Sequence, residues 1–318
     1  MQPLLAIDGL SITFATQQGA IHAVQDVGVD LNQGEVLGVV GESGSGKTVL
    51  MNSILGLLPD NAQIEGQAEY NGRNLLVNDK AYLNQIRCNE IAMIFQDPMS
   101  ALNPYLKIST QLIESLVINQ GVSKQQAMQQ AIAMLEKVQL PDAATRIHNY
   151  PYQFSGGMRQ RIMIAMALLR KPKILIADEP TTALDVTVQA EILHLLNSLR
   201  TEFSLSIVLI THDMSIVAGQ CDRILVMYAG RAVECATVDK LFYEPKHPYT
   251  QGLLAAARSQ SGLTDKLVSI PGSPPRNTEY IHGCAFYPRC EQRMNICDDS
   301  LPVMKGDDLQ QQACFLYE

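Results

Sequence analysis

Eight consecutive residues carry the plainest chemistry in the sequence: Gly41, Glu42, Ser43, Gly44, Ser45, Gly46, Lys47 and Thr48. They match the spacing G-x-x-x-x-G-K-[ST]. Glycines there let the backbone curl so that successive N–H groups turn inward on phosphate oxygens, and a helix beginning at the loop's end adds its positive dipole end. Lys47 would reach the β- and γ-phosphates of a nucleoside triphosphate, and the Thr48 hydroxyl would ligate Mg²⁺. Further along, the apolar run 174–177 ends in two acids, Asp178 and Glu179. Carboxylates at the C-terminal end of a buried strand face the crevice where open α/β sheets bind ligands. Asp178 fits as the Mg²⁺ partner, through water, and Glu179 as the general base that orients and polarises an attacking water. A second apolar run, 207–211, is followed by His212, a position from which an imidazole can hydrogen-bond a γ-phosphate.

Positioning these groups requires strands that stop at fixed places. The continuous apolar run 36–40 reads as a buried strand entering the loop, and a helix should leave it from Lys47 towards Leu58, stopped by Pro59. Residues 10–14 alternate as a half-buried strand. Residues 98–170 have helical texture. Ser123 with Gln126 forms a plausible capping box, and Ala127, Ala131, Met134, Leu135 and Val138 follow at helical spacing. This reads as a helical insertion into an α/β domain whose sheet is mostly parallel. From about Gly262 the texture changes again, and the run Pro271 to Pro275 reads as a linker or rigid turn.

Composition limits the class. The chain has 318 residues, 47% hydrophobic and 18% charged, with a formal net charge of −8. That acidic balance argues against a nucleic-acid binder, because no basic excess exists to neutralise phosphates. No apolar run approaches the roughly 20 residues of a membrane-spanning helix, and the first residues lack the basic start of a signal peptide. The expectation is a cytosolic chain. There are seven cysteines, and four of them, Cys284, Cys290, Cys297 and Cys314, fall in the last stretch. An odd number in a reducing compartment argues against a disulfide framework. Four thiolates could hold a metal or cluster, but zinc sites usually show closer Cys pairs and ferredoxin runs differ, so spacing alone leaves cluster, zinc and free thiols open. Cys88, Cys221 and Cys235 read as ordinary thiols.

Taken together, these motifs resemble the ATPase cassettes of ABC transporters. Phe154, Ser155, Gly156, Gly157 and Met158 resemble the family's signature motif, with Met158 where many relatives carry Gln. Gln96 resembles the Q-loop glutamine, Ala183, Leu184 and Asp185 the D-loop, and Phe14 the aromatic that stacks on adenine. The resemblance implies an α/β fold: a P-loop NTPase (ABC ATPase) core with an antiparallel β subdomain, a helical subdomain insertion at about 98–170 and a small Cys-rich C-terminal extension. The ATPase domain would span 1–260 and the extension 261–318. The signature would begin a helix at 158, and a helix start with small residues is an anion site. In the family this second half-site meets the ATP held by a partner cassette, so Ser155, Gly156 and Gly157 would act in trans.

Several segments narrow the resemblance to the D-type ATPases of oligopeptide and dipeptide importers. They are Gly41-Glu42-Ser43, the stretch from Phe95 through Pro98, Met99 and Ser100 to Pro104, the run His247-Pro248-Tyr249-Thr250, and the tail from Gly283 to Cys290. That branch implies a [4Fe–4S] cluster on Cys284, Cys290, Cys297 and Cys314, with zinc as the alternative. It also implies partners: a second, F-type ATPase in a heterodimer, two transmembrane permeases and an extracytoplasmic peptide-binding protein. The chain would then sit peripherally on the cytoplasmic face of the inner membrane. A soluble ABC ATPase acting on ribosomes or DNA, or an importer of nickel chelates or glycosides, is the competing expectation. The single cassette, the lack of heptads and the acidic charge favour the peptide importer.

Overall fold

The computed structural model describes residues 2–17, 19–77, 79–97, 101–182, 184–260, 268–275 and 281–317. Pro98, Met99, Ser100, Ala183 and the expected boundary at Gly262 lie outside the described residues. The chain divides into two compact units, one made of residues 1–78 and 208–318 and the other of residues 79–207.

The first unit opens with two long strands, β1 (Leu5–Thr16) and β2 (Gly19–Leu31), joined by β4 (Ala62–Tyr70) and β5 (Arg73–Asn74) in an antiparallel sheet of order β2-β1-β4-β5. This is the antiparallel subdomain expected from the resemblance. Alternation along β1 buries Leu5, Ile7, Leu10 and Ile12. The other sheet of this unit runs β11-β12-β10-β9-β3-β8. Its centre is β3 (Val36–Val40), buried at all five positions as a two-sided strand must be, flanked by β8 (Ser206–Thr211) and β9 (Arg223–Tyr228). Strands β3 and β9 pair in parallel.

The sheet expected to be mostly parallel has an antiparallel margin: β10 (Arg231–Thr237), β12 (Gln310–Gln312) and β11 (Lys305–Gly306). The cause is local. Ala229 and Gly230, both at positive φ (47° and 82°), form a two-residue connection between Tyr228 and Arg231 that folds the chain straight back on itself.

Helix α1 (Lys47–Ile54) leaves the glycine loop as expected but stops before Leu58. Gly56 at φ 58°, not Pro59, ends it. Gly56 N–H donates to the Ser53 carbonyl at 2.9 Å and Leu57 N–H to the Asn52 carbonyl at 2.9 Å, the paired bonds of a left-handed helix stop.

The second unit holds α2 (Lys80–Asn89), β6 (Ile91–Ile94), α3 (Ile108–Gln120), α4 (Lys124–Lys137), the short α5 (Ala143–Arg146), α6 (Gly156–Leu168), β7 (Ile174–Asp178) and α7 (Val186–Phe203). The capping box at the start of α4 is formed: Ser123 Oγ accepts from Gln126 N–H and the Gln126 amide oxygen accepts from Ser123 N–H. Ala127, Ala131, Met134, Leu135 and Val138 are all buried. Strands β6 and β7 pair in parallel with Ile94 opposite Ala177. That register decides which loop residues meet beyond the strand ends.

The first unit continues after β8 with α8 (Met214–Gln220), α9 (Val238–Tyr243), α10 (Pro248–Gln260) and the short α11 (Ile296–Asp299). Among the described residues no helix is long and apolar enough to cross a membrane.

Candidate functional site

In the first unit, β3 delivers the chain into Gly41 and α1 begins at Lys47. A methyl group on Gly41 would sit 2.2 Å from the Met227 carbonyl oxygen, and one on Gly46 would sit 2.4 Å from that of Ala23. The loop is therefore seated on neighbouring backbone at both ends. Between them Gly44, at φ 79°, would place a Cβ in open space, so its left-handed backbone and not crowding calls for glycine. The Lys47 ammonium is buried within the loop and donates to the carbonyls of Gly41 (2.8 Å) and Glu42 (2.9 Å) and to Ser45 Oγ (3.4 Å). The loop thus closes around its own lysine, whose ammonium is held by two backbone carbonyls. Thr48 follows as the second residue of α1.

Two other expected residues lie in this unit. Phe14 stands near the end of β1, opposite Ile21 on β2 and Ala62 on β4. His212 directly follows β8, the sheet neighbour of β3. The next residue, Asp213, caps α8 by accepting from Ser215 N–H at 2.8 Å, which fixes the turn that carries the imidazole.

In the second unit, the β6–β7 register brings together two residues 83 apart: Gln96 Nε2 donates to Glu179 Oε2 at 2.7 Å. Thr182 Oγ1 donates to the same oxygen at 2.8 Å. Asp178 ends β7 and is buried. Glu179 adopts φ 46°, a left-handed conformation costly for a residue with a Cβ, on the order of 1–3 kcal/mol. Strain at one carboxylate held by two donors marks a residue whose aim is fixed. Sequence reasoning missed Thr182, which has no motif of its own.

The signature residues begin α6. Ser155 is its N-cap, with Oγ accepting from Met158 N–H at 3.4 Å, and the helix starts at Gly156, two residues before the expected position. A Cβ on Gly157 would lie 2.6 Å from Val188 Cγ1 on α7, and one on Gly156 would lie 3.3 Å from Leu184 Cδ2. Asp185 caps α7, accepting from Val188 N–H at 3.0 Å.

The structure also reveals partners of the loop that carry no motif role. Tyr249 and Arg289 lie inside segments that the resemblance flagged, yet nothing in their spacing ties them to Glu42. Glu42 N–H donates to the Tyr249 hydroxyl at 2.9 Å, and Arg289 donates to both Glu42 carboxylate oxygens. Tyr228, Tyr249 and Phe286 pack with ring centroids 4.6, 5.3 and 5.4 Å apart, and His247 joins at 5.9 Å. Burial pushes the Tyr249 hydroxyl well above its ordinary pKa and depresses His247 to about 3, so both are neutral, and His247 Nδ1 accepts from Tyr249 N–H at 3.1 Å.

Cys284, Cys290, Cys297 and Cys314 line one small cavity of about 20 Å³, walled by Pro248, Phe286, Phe315 and Leu316 among others. Burial raises the thiols of Cys284, to about 11, and of Cys290 and Cys314. Among the described residues no group of three or more His, Cys, Asp or Glu could hold a metal ion. The four cysteines line this cavity without forming a coordination site in this conformation.

With this geometry in hand, the relatives are informative. The sequence matches the ABC transporter family over residues 24–182 and the oligopeptide/dipeptide transporter C-terminal region over residues 233–297. The chain is 49% identical to the oligopeptide transport ATP-binding protein OppD of Salmonella typhimurium, over 98% of this chain and 93% of that protein. It is 48% identical to the dipeptide transport ATP-binding protein DppD of Lactococcus lactis, over 91% of this chain and 83% of that one. The solved dimer of the ATP-binding cassette MJ0796 in a post-hydrolysis state, bound to ADP and Pi, superposes with a TM-score of 0.66 at 27% identity, covering 74% of this chain and 98% of that chain. The chain belongs to the ABC transporter family, among its oligopeptide and dipeptide transport ATP-binding proteins.

Proposed function

We propose that this chain hydrolyses ATP to energise uptake of di- or oligopeptides across the cytoplasmic membrane. It would work peripherally, paired with a second, F-type cassette and docked on two permeases fed by an extracytoplasmic binding protein. The peptide class rests on the names of the relatives. The hydrolytic part rests on the chain's own residues, above all on Glu179, strained and held at one oxygen by Gln96 and Thr182.

Lys47 and the loop N–H groups would bind the triphosphate, Thr48 and Asp178 would hold Mg²⁺, and Phe14 would stack on the base. Mg²⁺, when bound, neutralises charge developing on the phosphoryl oxygens. Glu179 would accept the proton of the attacking water at the carboxylate that its two donors orient, and His212 would hydrogen-bond the γ-phosphate. Ser155, Gly156 and Gly157 would serve the ATP held by the partner cassette, through the positive end of α6, and Asp185 would act beside them at the pairing surface. Glu179→Gln should cut hydrolysis by about 10²–10⁴-fold while ATP still binds. Phosphate release together with equilibrium nucleotide binding measures both, and unreduced turnover would remove Glu179 from the role of base.

The four C-terminal cysteines are proposed to hold a [4Fe–4S] cluster in a structural role. Their convergence on one apolar-walled cavity supports this. A cavity of that size must widen to admit a cluster, and the sulfurs must give up their protons to bind iron. Anaerobically purified protein should contain iron and acid-labile sulfide in about equal amounts. Iron-free, zinc-loaded protein would replace the cluster with the zinc alternative.

A further inference from the structure

Glu42 sets an electrostatic problem. It is an acid inside a loop that has to receive a polyanion, and like charges at such range oppose binding. Glu42 is also the hub of the loop: its carbonyl accepts from Lys47 Nζ at 2.9 Å and its N–H donates to Tyr249. Its carboxylate faces Arg289, from the short turn Tyr287–Arg289 in the C-terminal segment.

The pairing is a two-pronged fork. Arg289 Nη1 donates to Glu42 Oε2 at 2.9 Å and Nη2 to Oε1 at 3.0 Å, with the Arg289 side chain 6% exposed. The remaining N–H groups are also used. Nε donates to the Pro271 carbonyl at 2.8 Å, Nη2 to the Ile270 carbonyl at 3.3 Å, and Nη1 to the Tyr228 hydroxyl at 3.2 Å. All five guanidinium N–H groups are therefore committed, and no other side chain presents this fork. The C-terminal segment packs on the same core, where Phe286, Ile270, Ile281, Cys284 and Cys290 join Tyr228 and Tyr249.

The geometry points to Arg289 as a positioning residue for nucleotide binding: it neutralises Glu42 and fixes the loop from behind, so that the C-terminal segment completes the phosphate site of its own chain. The inference rests on the loop being the ATP site. It adds a function for the segment that does not depend on what the cysteines hold.

The test uses the full chain and equilibrium titration with a fluorescent ATP analogue. Arg289→Gln leaves Glu42 charged and unpaired and should raise Kd about tenfold, within the range of coupled charged pairs. Adding Glu42→Gln to that variant should bring Kd back to within about threefold of the native value, because the uncompensated charge is gone. Arg289→Lys, which keeps the charge but loses the fork, should fall between. A Kd for Arg289→Gln within twofold of native, whatever its melting temperature, would overturn the inference, as would failure of Glu42→Gln to restore binding. Should Arg289→Gln not fold by circular dichroism, Arg289→Lys alone carries the test of the fork, and a Kd within twofold of native would then overturn the inference. If the native chain binds no nucleotide, it is the ATP assignment that fails.

Discussion

Two helices in this molecule start from glycines, and they do so for different reasons. At α1 the glycines serve the backbone: Gly44 and Gly46 take left-handed conformations, Gly46 is the N-cap with no side-chain cap, and the loop wraps the Lys47 ammonium. At α6 the start is conventional. Ser155 caps with its hydroxyl from an extended conformation, and Gly156 and Gly157 lie within regular helix. At Gly157 the lack of a side chain answers to Val188 on α7, which leaves no room for a Cβ there. One start is a loop closed around its own lysine. The other is a capped helix start whose Gly157 is required by the packing of α7.

The comparison can be broken first at its charged member. Lys47→Ala should weaken ATP binding by about 10- to 100-fold, the worth of a charge-assisted contact, while the fold measured by circular dichroism persists. Binding within threefold of native would mean that the backbone cradle suffices and the cation is ornamental. The other start is sharpened by Gly157→Ala. The added methyl collides with Val188 and should destabilise the protein by about 1–3 kcal/mol in thermal or denaturant unfolding. Val188→Ala in the same chain should recover most of that loss. No recovery would show that Gly157 is required by something other than α7.

The difference between the two starts also marks what the sequence disclosed. The cradle was legible because its demands are local: a run of apolar residues, three glycines and a lysine at fixed spacing. Strand β3, the strand runs ending at Asp178 and Thr211, and the Ser123–Gln126 cap were legible for the same reason. Gln96 was named only by resemblance, since its meeting with Glu179 depends on the register of β6 against β7. Thr182, Tyr249 and Arg289 could not be found as partners from periodicity or spacing. The Arg289–Glu42 pair spans 247 residues and exists only because a turn of the C-terminal segment folds against the loop. The end of α1 was misplaced at Pro59 because the stop signal, Gly56, is short-range backbone chemistry hidden among leucines. The antiparallel margin was missed because Ala229-Gly230 does not look like a common hairpin turn.

The placement of β3 has a consequence for synthesis. Its sheet neighbours, β8 and β9, both come after residue 205, and Val36 N–H donates to the Asp222 carboxylate 186 residues downstream. At about 5–20 residues per second, translation leaves that strand without its neighbours for roughly 10–40 s, while residues 79–207 can already condense as a continuous unit. The loop 41–48 is thus made well before β8 and β9, the strands that flank the one leading into it.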